Sequence, residues 1–384
     1  MNTIIDQIRN TIHQFTSDRI VPYSTNWDQA EMFPIELWKE LGSLGLLGIT
    51  IDSDFGGCGL GLLEHCAVME EISYASPSVG LSYAAHSNLC ANIINTFGTP
   101  SQKQQYLPKL CTGENIGSLA ISESEAGSDA FGMNLNAKKT SGGYILNGSK
   151  YWITNAPIAN TFVVYAKTTP SHLSVFIVEK GMQGFDIGKP IQKIGMKSSP
   201  TAQITFDHCF IPENNILGHI NEGLAILKTG LNSERLILSS GPLGIMRRSL
   251  DETIKYSNMR HQFGRPINQF QRIQDKISLM YTSLISTESM IQSLAKKADS
   301  GQKLQPEECA ATLLHASTLA IQSAEECLQT LGGNGYTIEY GAGQRWVDAK
   351  LYDIGGGTKE IRHHIISKAL IKKSNHKITS PELT

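Results

Sequence analysis

The 384-residue sequence lacks an excess of charge of either sign. Lysine and arginine together number 33, aspartate and glutamate 35, and the formal net charge is −2. Because binding to nucleic acids and anionic membranes depends on an excess of basic residues, this balance argues against both kinds of partner. Hydrophobic residues make up 40% of the chain and charged residues 18%, a composition typical of a globular protein of two or three domains.

Long apolar runs and a targeting segment are also missing. The most apolar stretch, residues 41–51, is interrupted by three glycines and is shorter than the ~18–20 residues that a membrane-spanning helix needs. The first residues carry no signal-peptide core, and their apolar side chains recur at helical spacing: Ile5, Ile8, Ile12 and Phe15. We therefore expect a structural first helix, no membrane insertion and a cytoplasmic location, or the mitochondrial matrix if a transit peptide has been removed.

Motifs for metals, disulfides and classical nucleotide folds are absent as well. The seven cysteines are odd in number and scattered, and none forms a C-x-x-C pair, so we expect reduced thiols in the core. The eleven histidines are dispersed and no H-E-x-x-H motif occurs, which predicts no metal site. No G-x-G-x-x-G follows a strand pattern, so a Rossmann fold is not supported.

The hydrophobic periodicity changes twice along the chain. Residues 1–115 have helical spacing, residues 116–221 consist of short β-branched and aromatic runs, and residues 222–384 return to long helical patterns. Asn147-Gly148, between two such runs, predicts a hairpin turn. The clearest helix should begin at Pro306 and end before Gly332 and Gly333. Long helices with short connections indicate a bundle in the last section.

Three segments are candidates for a ligand site. Residues 122–129 (SESEAGSD) form either an ordinary polar loop or one whose hydroxyl and N–H groups bind an anionic or heterocyclic ligand. Glu234 lies among apolar neighbours in a helical pattern, and taken alone it indicates a glutamate paired with a nearby cation. Residues 353–360 (DIGGGTKE) precede the last helix and form either a flexible loop or a backbone cradle for an anion or a carbonyl oxygen. The residues alone leave these alternatives open.

Seven blocks, taken in order along almost the whole chain, resemble the acyl-CoA dehydrogenase family, and especially its members that act on isovaleryl-CoA. The matching stretches are GLSYAAHSNLCAN from Gly80, LAISESEAGSDA from Leu119, YILNGSKYWITN from Tyr144, FIVEKGMQGF from Phe176, GLNSERLILSSGPLGIM from Gly230, LQTLGGNGY from Leu328 and DAKLYDIGGGTKEIR from Asp348. The resemblance implies a multidomain α+β fold. It would comprise an N-terminal helical domain, a middle antiparallel β-barrel or sandwich domain, and a C-terminal four-helix bundle.

The resemblance also implies one non-covalent FAD per subunit of a homotetramer, a dimer of dimers, with some residues reaching across an interface to a neighbour's cofactor. The FAD contacts would be Leu119, Ala120, Ile121, Ser122, Ser128, Trp152, Ile153, Thr154, Arg260, Gln271, Gln329, Leu331, Gly332, Gly333, Thr358, Lys359 and Glu360. The acyl-CoA contacts would be Ser128, Asn232, Ser233, Glu234, Arg235, Gly355, Gly356 and Gly357.

The position of the catalytic base follows from the same resemblance. Most members carry a glutamate immediately before the final Gly-Thr of the glycine loop, where this sequence has Gly356. The isovaleryl-type and long-chain members place it on the first bundle helix, at the position of Glu234. The resemblance therefore implies that Glu234 removes the α-proton and that the Gly356 N–H donates to the thioester oxygen. Burial should raise the pKa of Glu234 toward the working pH.

Substrate preference depends on the volume of the acyl pocket. Straight-chain members carry a tyrosine where Gly355 stands, so two adjacent glycines would leave width for a methyl branch, a preference of ~1–3 kcal/mol. The resemblance implies oxidation of isovaleryl-CoA to 3-methylcrotonyl-CoA in leucine breakdown, with electrons passed to an electron-transfer flavoprotein. Acyl chains of other length, an oxidase-like relative that uses oxygen, and a non-catalytic relative are the alternatives.

Overall fold

The computed structural model describes residues 4–379, and its first section is helical. Its helices are α1 (Ile4–Arg19), α2 (Ser24–Gln29), α3 (Glu36–Ser43), α4 (Leu62–Ala75), α5 (Pro77–His86), α6 (Ile93–Phe97) and α7 (Pro100–Cys111). The spacing of the first apolar residues is confirmed as a helix, since α1 buries Ile12 completely. Helix α7 begins with a capping box, in which Thr99 and Gln102 each bond the other's backbone N–H.

An eight-stranded, mostly antiparallel sheet forms the middle of the molecule. Its strands are β1 (Gly117–Ala120), β2 (Asn136–Thr140), β3 (Gly143–Thr154), β4 (Thr161–Thr169), β5 (His172–Glu179), β6 (Phe185–Pro190), β7 (Thr201–Pro212) and β8 (Ile216–Leu217). Their order is β6-β7-β3-β2-β4-β5-β8, and β1 pairs with β4 in parallel. Every residue of β4 from Thr161 to Ala166 is buried, because this central strand packs on both faces.

The predicted hairpin turn at Asn147-Gly148 is wrong. Both residues lie inside the single strand β3, at a register shift in its pairing with β7, which is a β-bulge. Gly148 adopts φ +135°, and a Cβ there would lie 3.0 Å from the Leu135 Cα. The turn between β2 and β3 instead contains Gly142, at φ +74°. A glycine that permits positive φ serves a bulge as well as a turn, and the sequence does not separate the two.

Long helices return after residue 222 and form the predicted bundle. They are α8 (Gly223–Met259), α9 (Gln271–Asp299), α10 (Pro306–Leu331), α11 (Ala342–Leu351) and α12 (Lys359–Thr379), and a short hairpin, β9 (His261–Gln262) with β10 (Arg265–Pro266), joins α8 to α9. Helix α8 packs against α9, α10 and, from the N-terminal section, α4, while α12 packs on α10. The predicted bounds of α10 are confirmed, and the multidomain α+β fold class is confirmed with them.

The cysteines are distributed as core thiols. All seven are free, and six of them are buried while Cys58 is exposed. Among residues 4–379, no helix combines the length and the apolar composition that a membrane crossing requires.

Candidate active site

Glu234 lies in the fourth turn of α8 and is 8% exposed. Burial raises its pKa to about 7, although the positive charges of Arg235 and Arg362 lower it. The Glu234 charge also contributes, after burial, to raising the pKa of Tyr165, so this carboxyl group lies close to strand β4. A carboxyl group held apart from water and poised near neutral pH has the properties of a general base.

The glycine loop, residues 353–358, is fixed against α8 beside this carboxyl group. The Arg235 Nε donates a hydrogen bond to the Gly356 carbonyl at 3.1 Å. Gly356 has φ +68°, and a Cβ there would lie 3.0 Å from Leu313 Cδ2 and 3.2 Å from Leu238 Cδ1. Only glycine meets both conditions without strain, because other residues pay for the left-handed conformation and for the close contacts.

Arg362 holds the same loop from the other side. Its side chain is fully buried, and its Nη2 donates to the carbonyls of Tyr352 and Gly355 at 2.5 Å each. Its Nη1 donates to Ser317 Oγ at 3.1 Å, and Ser317 in turn donates to Asp353. The first half of the glycine loop is therefore tied to one guanidinium group.

Three N–H groups of the glycine loop are available to a ligand. Among the described residues, the N–H groups of Gly356, Gly357 and Thr358 donate to no backbone carbonyl, whereas that of Lys359 donates to the Asp353 carbonyl. They stand at the start of α12, a helix of 21 residues, where free N–H groups and the helix dipole favour an oxygen that carries negative charge. Thr358 caps this helix through Oγ1, and the Lys359 and Glu360 side chains are exposed.

The predicted flavin residues of the β-domain form one edge of the sheet. The Tyr151 N–H donates to the Ser122 carbonyl at 2.9 Å, and Ser118 Oγ donates to the Thr154 carbonyl at 2.6 Å. These bonds bring the start of the 122–129 segment against the end of β3. Trp152, between them, adopts φ +58° and is 52% exposed. A large residue in this conformation is a strained position that indicates a functional role.

This edge fits the isoalloxazine ring of FAD. The hydroxyl groups of Ser122, Ser128 and Thr154 bond to no protein group in the part of the chain that the structure describes, and Ser128 is exposed. An exposed aromatic face with free hydroxyl donors suits a flat heterocycle rimmed by polar atoms. The side chains of Ala120 and Ile153 are buried, so these two can offer only backbone groups, while Leu119 and Ile121 are partly buried.

A second group of predicted cofactor residues lies at the opposite end of the bundle. Arg260 directly follows the last residue of α8, and Gln271 is the first residue of α9. Gln329 and Leu331 lie in the last turn of α10. Gly332 and Gly333 follow, and nothing within 4 Å would meet a Cβ at either one. Asn334 Nδ2 donates to Tyr256 Oη at 3.1 Å, which joins this region to the end of α8. At 1.5 Å per residue, Glu234 and Arg260 are about 40 Å apart along α8.

Of the predicted acyl-CoA residues, those on α8 lie beside a π-helical segment. Ser233 Oγ donates to Asn88 Oδ1 at 2.9 Å, and Asn88 belongs to the π-helical turn Ser87–Asn92. Asn232 is partly buried, as are Gly355 and Gly357. Turns of this kind occur often at functional sites.

Sequence reasoning missed three buried charged residues around these segments: Arg362, Glu123 and Lys150. Arg362 was part of a quoted motif but received no role. Lys150 directly precedes the aromatic pair Tyr151-Trp152 in β3 and is fully buried, bonded to Glu123. A lysine at an inward-facing position of a strand was the signal that could have found it.

A cleft of about 710 Å³ lies elsewhere, between α2, the connection before β7 and α11, and no predicted site residue lines it. Among the described residues, no group of three or more His, Cys, Asp or Glu side chains could hold a metal ion. The candidate active site is therefore defined by Glu234, the glycine loop and the sheet edge at Trp152.

The fold and the site define a flavin-dependent dehydrogenase. Family models match three successive parts of the chain: the acyl-CoA dehydrogenase N-terminal domain over residues 5–114, the middle domain over 118–209 and the C-terminal domain over 221–371. The chain belongs to the acyl-CoA dehydrogenase family. It is an FAD-dependent oxidoreductase.

Curated relatives and a solved structure agree with this assignment. The chain is 48% identical over 373 residues to isovaleryl-CoA dehydrogenase, mitochondrial, of Solanum tuberosum, an alignment that covers 96% of this chain and 90% of the relative. It is 45% identical over 372 residues to 2-methylacyl-CoA dehydrogenase, mitochondrial, of the same organism, covering 95% and 90%. An FAD complex of PigA superposes with a TM-score of 0.92 at 32% identity, covering 96% of this chain and 98% of the other.

Proposed function

We propose that this enzyme oxidises a short branched-chain acyl-CoA, isovaleryl-CoA, to 3-methylcrotonyl-CoA, with Glu234 as its catalytic base. The observation that carries the proposal is the buried Glu234 carboxyl group, with a pKa of about 7, beside a glycine loop that has a glycine and no carboxylate at position 356. The identity of 48% to an isovaleryl-CoA dehydrogenase supports the substrate.

Glu234 takes the proton from Cα of the acyl group. A carboxylate is too weak a base for this proton unless negative charge on the thioester oxygen is stabilised as it forms. The free N–H of Gly356 donates a hydrogen bond to that oxygen, and its neighbours at the start of α12 add to the favourable potential. FAD, when bound, supplies the acceptor for the hydride that leaves Cβ. Arg235 and Arg362 fix the loop in position for this role.

Two sets of residues would hold FAD. The first is the sheet edge, where Trp152 offers a ring face and Ser122 and Thr154 offer free hydroxyl groups. The second is the group at the far end of the bundle, about 40 Å along α8 from Glu234 and too distant to share one flavin ring with it. We infer that this second group binds the cofactor of a neighbouring subunit in a homotetramer. The highly exposed Phe263 (92%) and Tyr336 (88%), which flank it, support an interface there.

The methyl branch would occupy the space beside Gly355. A Cβ at this position would meet only the Leu351 carbonyl, at 3.6 Å, which is an ordinary contact. The loop therefore tolerates a side chain at 355, and the glycine leaves that volume to the substrate. Gly355→Tyr should shift the preference from isovaleryl-CoA toward butyryl-CoA by about 10- to 200-fold in kcat/KM, the range that one methylene commands.

An anaerobic titration with a panel of acyl-CoA esters tests the proposal. We expect isovaleryl-CoA to bleach the flavin absorbance more efficiently than 2-methylbutyryl-, butyryl- or octanoyl-CoA. The 2-methyl ester is the sharpest competitor, because a 2-methylacyl-CoA dehydrogenase is 45% identical to this chain. Glu234→Gln should keep ligand binding and lose bleaching. Full activity in that variant would refute the assignment of the base.

Electron transfer to an electron-transfer flavoprotein is the final part of the proposal. The purified enzyme should reduce this protein in the presence of isovaleryl-CoA and should form little peroxide in air. Rapid peroxide formation without an added acceptor would show an oxidase instead. Sedimentation at several concentrations tests the homotetramer. Location in the cytoplasm or in the mitochondrial matrix stays a prediction.

A further inference from the structure

Lys150 is a fully buried lysine in the middle of strand β3. Its Nζ donates to the Ile121 carbonyl at 2.8 Å, to Glu123 Oε1 at 3.0 Å and to Met133 Sδ at 3.2 Å. All three donors of the ammonium group are therefore used, one of them on a weak sulfur acceptor. Burial lowers the pKa of Lys150 to about 8, although the Glu123 charge raises it. Burial therefore disfavours the charged form of this lysine more than the Glu123 carboxylate favours it.

Glu123 completes the same network from the other side. Its side chain is 7% exposed. Its Oε2 accepts the Asn134 N–H at 2.6 Å, and its Oε1 accepts the Leu135 N–H at 2.9 Å. Two further bonds join the backbone of Glu123 and Ala126 in a tight turn. The pair thus joins both ends of the segment 121–135, which leaves β1 and returns to the start of β2.

The energetics of such a pair argue for a role in position more than in stability. A buried ion pair is often no more stabilising than well-packed apolar residues of similar volume, because both charges lose their hydration. The bonds made by this pair are instead directional and converge on one loop. That loop carries Ser122 and Ser128, whose hydroxyl groups bond to no protein group among the described residues, and Ser128 is exposed.

We propose that the Lys150–Glu123 pair is a positioning clamp, which holds the 121–135 loop in the conformation that binds FAD. The inference rests on the proposed function, because only that function assigns Ser122 and Ser128 a role in binding FAD. Both residues of the clamp are buried, so they act on a ligand through the loop that they hold. Removing the clamp should raise the dissociation constant for FAD through the loop's loss of order, since a binding loop that must be ordered by its ligand loses affinity.

The test separates positioning from stability by comparing two variants of the holoenzyme. Lys150→Met alone leaves the Glu123 carboxylate buried without a positive charge beside it and should lower both FAD affinity and melting temperature. Lys150→Met with Glu123→Gln removes both charges, so the melting temperature should return close to that of the wild type. FAD affinity should stay at least about tenfold weaker, because the Ile121 carbonyl and the N–H groups of 134 and 135 are no longer joined through one clamp.

FAD release on serial dilution, followed by the fluorescence of the freed flavin, gives the affinity, and melting in excess FAD gives the stability. Arg9→Met is the matched control. It breaks the ion pair between Arg9 Nη2 and Glu70 Oε2, which are 2.7 Å apart and connect α1 to α4. Its loss should lower the melting temperature without changing FAD affinity.

Recovery of wild-type FAD affinity in the double variant would overturn the proposal, because affinity would then simply follow stability. An unchanged affinity in Lys150→Met would also overturn it. If Lys150→Met does not fold, the double variant alone decides the question. A wild-type protein that binds no FAD would instead overturn the proposed function, so the two failures are distinguishable.

Discussion

Replacing Glu234 by glutamine should change how the stability of the protein depends on pH. In the folded protein the pKa of Glu234 is about 7, against 4.5 for an ordinary glutamate. Each step of one in pKa between the folded and the unfolded state corresponds to about 1.4 kcal/mol, so this carboxyl group is linked to a stability change on the order of 3 kcal/mol. Glutamine has nearly the same shape and does not titrate.

The sign follows from which state binds the proton more tightly. Because the folded protein holds the proton with the higher pKa, Glu234 adds stability below about pH 4.5, where both states are protonated. Between about pH 4.5 and 7 the unfolded chain releases the proton first, and this contribution is lost. Above pH 7 the loss is complete. The Glu234→Gln variant should therefore gain on the wild type by about 3 kcal/mol across this window.

Urea denaturation of the holoenzyme in excess FAD, at half-unit steps from pH 4.5 to 8, measures the difference. Subtracting one protein from the other cancels every titrating group that they share. Glu325→Gln, at an exposed position on α10, is the matched control for the same substitution at the surface. A constant difference between wild type and Glu234→Gln would show that Glu234 is not buried as an uncompensated acid, and the argument for a base poised near neutral pH would fail.

Three further predictions concern the same loop. Gly356→Ala should cost about 1–2 kcal/mol of stability, from its φ of +68° and its contact with Leu313, while Gly355→Ala should cost little; thermal melting of both checks this. Gly356→Ala should also reduce the rate of flavin bleaching by misplacing its N–H, as stopped-flow absorbance would show. Arg362→Gln removes a positive charge that lowers the pKa of Glu234, so the acid limb of the rate profile should move to higher pH at unchanged flavin content; a profile that stays in place would contradict the coupling.

Features with local causes could be predicted from the sequence. A proline at the first position and two glycines after the last predicted the bounds of helix α10, and the structure has the same bounds. The change from helical spacing to short β-branched and aromatic runs and back predicted the order of helical, β and helical sections, because burial imposes a period on each element separately. The fold class itself came from the resemblance. Glu234 was singled out by a resemblance, since its surroundings in the chain alone favoured an ordinary surface pair.

Features that depend on distant partners could not be predicted. Asn147-Gly148 has the composition of a turn, but a bulge opposite β7 uses the same backbone freedom. The partners of Lys150 are 17 to 29 residues away in sequence, and those of Arg362 include Ser317. The residues next to Lys150 and Arg362 in the chain do not predict which carbonyl groups will accept their hydrogen bonds. Buried charges of this kind are visible only after the fold brings their acceptors together.

The length of α8 explains why the predicted cofactor residues of one chain fall into two separate groups. Glu234 lies near the N-terminal end of the helix, and Arg260 follows its C-terminal end about 40 Å away. The N-terminus of α9 and the glycines after α10 lie at that second end. A rigid helix cannot fold back to bring these groups together, because its length is fixed by the rise per residue. If both groups bind FAD, they must bind different molecules of it. An assembly in which each subunit completes its neighbour's site satisfies that condition, and it would make cofactor affinity depend on subunit association.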